Sequence, residues 1–148
     1  TTDGTYYWRV QAADDAGRWS SWSLPWHFAI DTRAPDAPSL LAPDSAANRV
    51  PLSPAFAWTE VEPGAPGLSY RFQLATDSGF AGMVLDTVTT LCTLVCPRVL
   101  DYSSDHYWRV RATDRAGNTG AFSSRFQFRT VPAPAAPGRI QPGRHIST

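Results

Sequence analysis

"YYWRVQAADDAGRWSSWSLPWHF" (6–28) and "HYWRVRATDRAGNTGAFSSRFQF" (106–128) are two copies of one segment, and their comparison decides the fold. Tyr7, Trp8, Arg9, Val10, Ala12, Asp14, Ala16, Gly17, Ser23 and Phe28 all recur 100 positions later without a gap. A second echo joins "APDAPSLLAP" (34–43) to "APAAPGRIQP" (133–142), offset by 99. Self-similarity at a fixed spacing marks a domain array. The chain therefore reads as the C-terminal hairpin of one repeat (1–31), a Pro-rich linker (32–38) and a complete repeat (39–131). Residues 132–148 read as a second Pro-rich linker with the start of a further repeat or a disordered tail. Each linker proline fixes φ and removes a donor, so both joints should be stiff and extended.

Alternation identifies the elements. In the first copy Tyr6, Trp8, Val10 and Ala12 point one way, while Tyr7, Arg9 and Gln11 point the other, as in a half-buried strand. Trp108, Val110 and Ala112 repeat the inward set, with Tyr107, Arg109 and Arg111 outward. "DDAG" and "DRAGN" read as hairpin turns, in which Asp can bond its own backbone and Gly can take a positive φ. Return strands follow, with Trp26, Phe28 and Ile30, then Phe126 and Phe128, inward. Two further strands are expected, at 55–61 (Phe56 and Trp58 inward) and 69–75 (Tyr70, Phe72 and Leu74 inward). No stretch has helical periodicity, so the expectation is all-β.

Composition narrows the function classes. The 148 residues are 43% hydrophobic, enough for a packed core, and the 13 prolines argue against a helical protein. Thirteen basic residues, all Arg, balance thirteen acidic ones, and with no basic patch a nucleic-acid partner is not expected. No apolar run is long enough for a membrane helix, so no membrane insertion is expected from these residues.

Trp58, "YRFQLATDSGF" (70–80) and "LDYSSDHYWRVRATDRAGN" (100–118) together carry a family likeness. Through them the complete repeat resembles a fibronectin type III domain of the sort strung along bacterial surface and secreted proteins. The resemblance implies a seven-stranded, two-sheet sandwich with the final hairpin of a preceding copy. The family usually places a tyrosine at the position of His106, where its hydroxyl ties down a loop. Tyr6 keeps that residue in the first copy. The resemblance also implies a non-catalytic extracellular or cell-surface module, acting as spacer, display stalk or adhesion element. The alternative is a carbohydrate- or protein-binding accessory module of a secreted hydrolase. Expected partners are neighbouring repeats of the same polypeptide, with a glycan or surface protein as further candidates; no cofactor is expected.

"RWSSWS" (18–23) has the form of the WSxWS box of class I cytokine receptors. In those proteins Trp rings interleave with Arg side chains on the outer face of the preceding strand. Arg9, Trp19, Trp22 and Tyr7 are accordingly the candidate ladder, structural or ligand-binding. A guanidinium held between indoles would contribute ~0.5–2 kcal/mol. In the second copy "NTGAFSS" (118–124) puts Phe122 at the place of Trp22 and nothing at that of Trp19, so Arg109 and Arg111 are expected to lose the full ladder. The near-copy in the adjacent repeat favours a local clip over a hormone receptor, with sugar stacking on Trp19 or Trp22 as the minority reading.

Cys92 and Cys96 in "LCTLVCPR" (91–98) leave three readings. On a continuous strand they lie about 13 Å apart on one face, too far to bridge. A turn between them would permit a disulfide. Metal ligation lacks a second pair or a nearby His at suitable spacing. Asp14, Asp15, Asp114, Asp101 and Asp105 sit at turns in no order that suits calcium. His27, His106 and His145 are scattered, and no Ser/His/Asp or paired-carboxylate motif surrounds any of them. No enzyme is expected.

Overall fold

A computed structural model describes residues 2–62 and 67–138; the tail from Arg139, including His145, lies outside the described residues. Ten strands carry the chain: β1 (Gly4–Trp8), β2 (Trp26–Ile30), β3 (Leu40–Ala42), β4 (Ala47–Val50), β5 (Ala55–Trp58), β6 (Ser69–Ala75), β7 (Met83–Thr89), β8 (Thr93–Val95), β9 (Asp105–Thr113) and β10 (Phe126–Thr130). The expected strand at 69–75 is matched residue for residue, whereas 55–61 ends at Trp58 and 6–12 is laddered only to Trp8.

From β3 onward the elements form two sheets, β4-β10-β9-β6-β7 and β3-β5-β8. Eight segments stand where seven strands were expected, because the first strand is divided. Leu40 pairs with Trp58 in the smaller sheet. The chain then turns through Ala46, at φ 66°, and β4 joins β10 in parallel. This crossover covers the β10 edge, which would otherwise expose unpaired backbone groups.

Alternation produces the core. Along β9 every second residue is buried: His106, Trp108, Val110 and Ala112. These meet Phe56 and Trp58 from the opposite sheet. The Phe56 ring lies 4.7 Å from that of Phe72, 5.0 Å from Trp108 and 5.9 Å from Phe128. Each such ring removed from water contributes roughly 1.5–3 kcal/mol.

The first copy has the same hairpin without the second sheet. β1 pairs β2 with Tyr6 opposite Phe28 and Trp8 opposite Trp26. β9 pairs β10 in the same register, His106 opposite Phe128 and Trp108 opposite Phe126. Trp8 is nevertheless 48% exposed and Phe28 49%, while Trp108 and Phe128 are 0% and 1% exposed. One sequence pattern thus gives a buried face in one copy and an open face in the other.

The loop before β9 is held differently in the two copies. Tyr6 donates its hydroxyl to the Thr2 carbonyl at 2.6 Å and stacks on Phe28. His106 keeps the stacking, on Phe128, but its Nδ1 has no hydrogen-bond partner. The tie has moved to β10. Where the first copy has Ile30, Thr130 donates its hydroxyl to the Asp101 carbonyl at 2.6 Å and accepts from the Ser104 amide at 2.9 Å.

The arginine–aromatic face as candidate functional site

The hairpin turn has the same backbone bonds in both copies. The Asp14 carboxylate accepts from the Ala16 and Arg18 amides, and the Asp114 carboxylate accepts from that of Asn118. These donors hold both carboxyls below the usual carboxylate range, led by the Arg18 amide for Asp14 and the Asn118 side chain for Asp114. Past the turn the two box serines take over from a strand. Ser23 Oγ accepts from the Val10 amide and donates to the Leu24 carbonyl. Ser20 Oγ accepts from the Ala12 amide and donates to the Ser21 carbonyl. Each hydroxyl thereby fills a place a ladder partner would occupy. In the second copy Ser123 repeats the bond to Val110, and Gly120 has no hydroxyl to offer.

The ladder differs from the sequence expectation in both copies. In the first, the Arg9 guanidinium lies 4.3 Å over Trp22 alone; Trp19 stands outside the stack, 66% exposed beside the Asp14 turn. Tyr7, 73% exposed, packs on the outward His27 ring across the strand pair. In the second copy the expected loss does not occur. Arg109 is held between Phe80 at 3.9 Å and Phe122 at 4.0 Å, and Arg111 lies on Phe122 at 4.7 Å.

Phe80 is the residue that sequence reasoning missed. It comes from the turn after β6, where the Asp77 carboxylate gathers the Gly79, Ala81 and Gly82 amides. Those bonds, led by that of Gly82, lower the Asp77 pKa. They also bring Phe80, at φ 58°, over the sheet. A polar row continues beneath it. Arg109 Nε donates to Gln73 Oε1 at 2.9 Å, Gln73 Nε2 donates to Asp86, and Arg71 grips Asp86 with two bonds of 2.8 and 2.7 Å. The signal in the sequence was the compact "TDSGF" turn (76–80), but its partner lies 29 residues on.

The full stack should matter more than the half stack. Arg109→Ala is expected to destabilise the domain by about 1–2 kcal/mol, and Arg9→Ala by less than about 1 kcal/mol. Chemical denaturation monitored by tryptophan fluorescence distinguishes them. Arg109→Lys should recover little, because an ammonium lacks the flat guanidinium face and fork.

The two cysteines do not form the candidate bridge. Both are free, and they flank β8 on a continuous run, Cys92 O accepting from the Trp58 amide and the Cys96 amide donating to Pro54 O. That extended path places Cys92, Leu94 and Cys96 on the inward face, which resolves the strand phase. Cys92 lies by the Tyr70 hydroxyl. Burial first, and then that thiol, push the Tyr70 phenol up to about 12. Native protein should label quickly at half-buried Cys92 and slowly at buried Cys96, and reductant should leave its melting temperature unchanged.

Among the described residues no three His, Cys, Asp or Glu side chains converge as a metal set. No helix there is long and apolar enough to cross a membrane.

No protein-family profile matches the chain, and no curated protein is significantly similar to it in sequence. Solved structures do match in shape. The human fibronectin type III domain containing protein 3 supplies one, its fibronectin type III domain superposing with a TM-score of 0.53 at 16% identity, over 70% of this chain and 93% of that one. An α-L-rhamnosidase from Dictyoglumus thermophilum matches with a TM-score of 0.51 at 14% identity, over 68% of this chain and 12% of the enzyme. A β-1,2-glucanase from Parabacteroides distasonis matches at 0.50 and 18% identity, over 80% of this chain and 16% of the enzyme. The chain therefore spans about an eighth and a sixth of those two proteins. At these identities the likeness establishes the fold: an all-β, fibronectin type III-like sandwich.

Proposed function

We propose that this chain is a non-catalytic tandem-repeat segment that spaces or displays the other parts of a larger exported or cell-surface protein. The observation that carries the reading is the recurrence, 100 residues apart, of one hairpin with the same register and turn bonds. Copies joined by short proline-rich links make a semi-rigid rod. The outer-face Arg109 and Arg71 are occupied by their own neighbours, which suits a clip better than a binding site. In this reading the open face of Tyr6, Trp8, Trp26 and Phe28 belongs to a repeat whose other sheet supplies counterparts of Phe56 and Trp58. A two-stranded ribbon alone is marginal in water.

One observation favours a binding role: Tyr7 and Trp22 present exposed aromatic surface beside Arg9, and Trp19 does so beside the Asp14 turn. Flat aromatic faces of this kind suit sugar rings, as an accessory module of a glycoside-acting enzyme would require. Titrating residues 1–131 with a broad glycan panel while recording tryptophan fluorescence separates the two. The spacer reading expects no saturable shift. A saturable shift abolished by Trp19→Ala or Trp22→Ala would replace it with the binding reading.

A further inference from the structure

Among the positions at which the two hairpins differ are 18/118 and 20/120, and the chain between the hairpins touches the second copy at both. Arg18 closes its own turn by donating Nε to Asp14 at 2.7 Å. Its counterpart Asn118 divides its amide, one bond of 2.9 Å to Asp114 and one of 3.0 Å to the carbonyl of Asp31, the residue that leads into the linker. Two residues on, Ser20 fills its place with a hydroxyl bonded to the Ala12 amide. At Gly120 that place is taken by the linker: a Cβ there would collide with the Pro35 carbonyl oxygen. Gly120 has no left-handed φ to explain the glycine. Pro35 and Gly120 are both buried. Ala29 and Asp31 also face Arg115 and Ala116 across a shallow groove.

We propose that Asn118 and Gly120 form a docking slot for the main chain of the preceding linker, and that Arg18 and Ser20 close the same slot in the copy carrying the WSxWS box. The partner is the extended segment Asp31–Pro35, recognised through two carbonyls rather than through its side chains. The Pro35 carbonyl can approach only where no Cβ stands, and the Asp31 carbonyl is held only where the turn residue aims a donor at it. The box serine removes the first condition, and the Arg18–Asp14 bond turns the guanidinium back onto its own turn instead of toward the linker. The box is therefore the self-capped state of a joint that the neighbouring repeat leaves open. This deepens the spacer reading, on which it rests for its use: a docked linker fixes the angle between successive repeats, and a self-capped slot leaves it free.

The linker carries its own reporter, the tryptic site at Arg33. Its cleavage in the full chain, followed by mass spectrometry, is compared with that of a synthetic peptide of residues 29–38. Docking is expected to slow it about tenfold or more, since proteolysis of a closed segment follows the population of its open form. Gly120→Ser and Gly120→Ala should both bring the rate toward that of the peptide. Only Gly120→Ser should keep the wild-type melting temperature, because its hydroxyl can accept from the Ala112 amide as Ser20 does from Ala12. Cleavage of the wild type at the peptide rate overturns the proposal, and so does an unchanged rate in both folded variants. Should the variants not fold, the wild-type comparison still decides. No ligand enters the assay, so its outcome is independent of the glycan titration.

Discussion

Phe56→Ala is expected to cost the domain about 3–5 kcal/mol, a large share of the roughly 5–15 kcal/mol that holds a domain together. Phe56 is fully buried and is the single ring of the smaller sheet touching Phe72, Trp108 and Phe128 together. Truncation leaves a cavity bounded by three rigid rings on three adjacent strands, β6, β9 and β10, and such walls collapse poorly. Urea denaturation followed by tryptophan fluorescence should find the midpoint lowered by about 1 M or more. Phe28→Ala at the open face provides the contrast. Phe28 is the counterpart of Phe128, yet its loss should hardly move the same transition, because no second sheet packs against it.

Thr130→Val should cost roughly 1–2 kcal/mol, the net loss of two hydrogen bonds whose partners lie on partly exposed Ser104 and exposed Asp101. Thr130 is 2% exposed, and the isosteric valine would strand the Ser104 amide and the Asp101 carbonyl. His106→Tyr should work in the opposite sense. A tyrosine there can send its hydroxyl to the Tyr102 carbonyl, as Tyr6 does to Thr2 four residues back. The gain is expected to be about 1 kcal/mol, and larger in the Thr130→Val background, where the loop is otherwise untied.

The same substitution should change the response to acid. Burial is the main force lowering the His106 pKa from its ordinary 6.5, opposed by the Ser104 backbone and by Asp101 and Asp105. The unfolded chain then binds more protons than the folded one in this range. The His106 contribution to stability is therefore fully present above pH 6.5 and is lost as pH falls through the folded-state value. Melting temperatures of the wild type should decline below that pH, and those of His106→Tyr should decline less. Equal slopes would mean that His106 does not titrate on unfolding.

How much of this was legible follows from how far each interaction reaches along the chain. The strand at 69–75 and the inward sets on β9 and β10 could be read because alternation is a local property of side-chain direction. The same holds for the Asp14 and Asp114 turns, whose bonds span four residues. The division of the first strand between two sheets could not be read, since it depends on which edge lies near after Ala46. Phe80 was missed for a similar reason: nothing near it in the sequence says that a turn after β6 will lie over Arg109. The transfer of the loop tie from Tyr6 to Thr130 is visible only when β10 is seen beside residues 101–104.

The sequence alone determined the internal similarity, the all-β class, the hairpin turns and the inward rings of residues 39–131, because period and spacing are one-dimensional facts. Tertiary structure decided what each copy does with its identical pattern. It buried Trp108 and left Trp8 open, completed the ladder on Arg109 and halved it on Arg9, and set the Pro35 carbonyl where Ser20 has a hydroxyl. These outcomes depend on which surface arrives from elsewhere in the chain, and a segment does not encode the neighbour that will cover it.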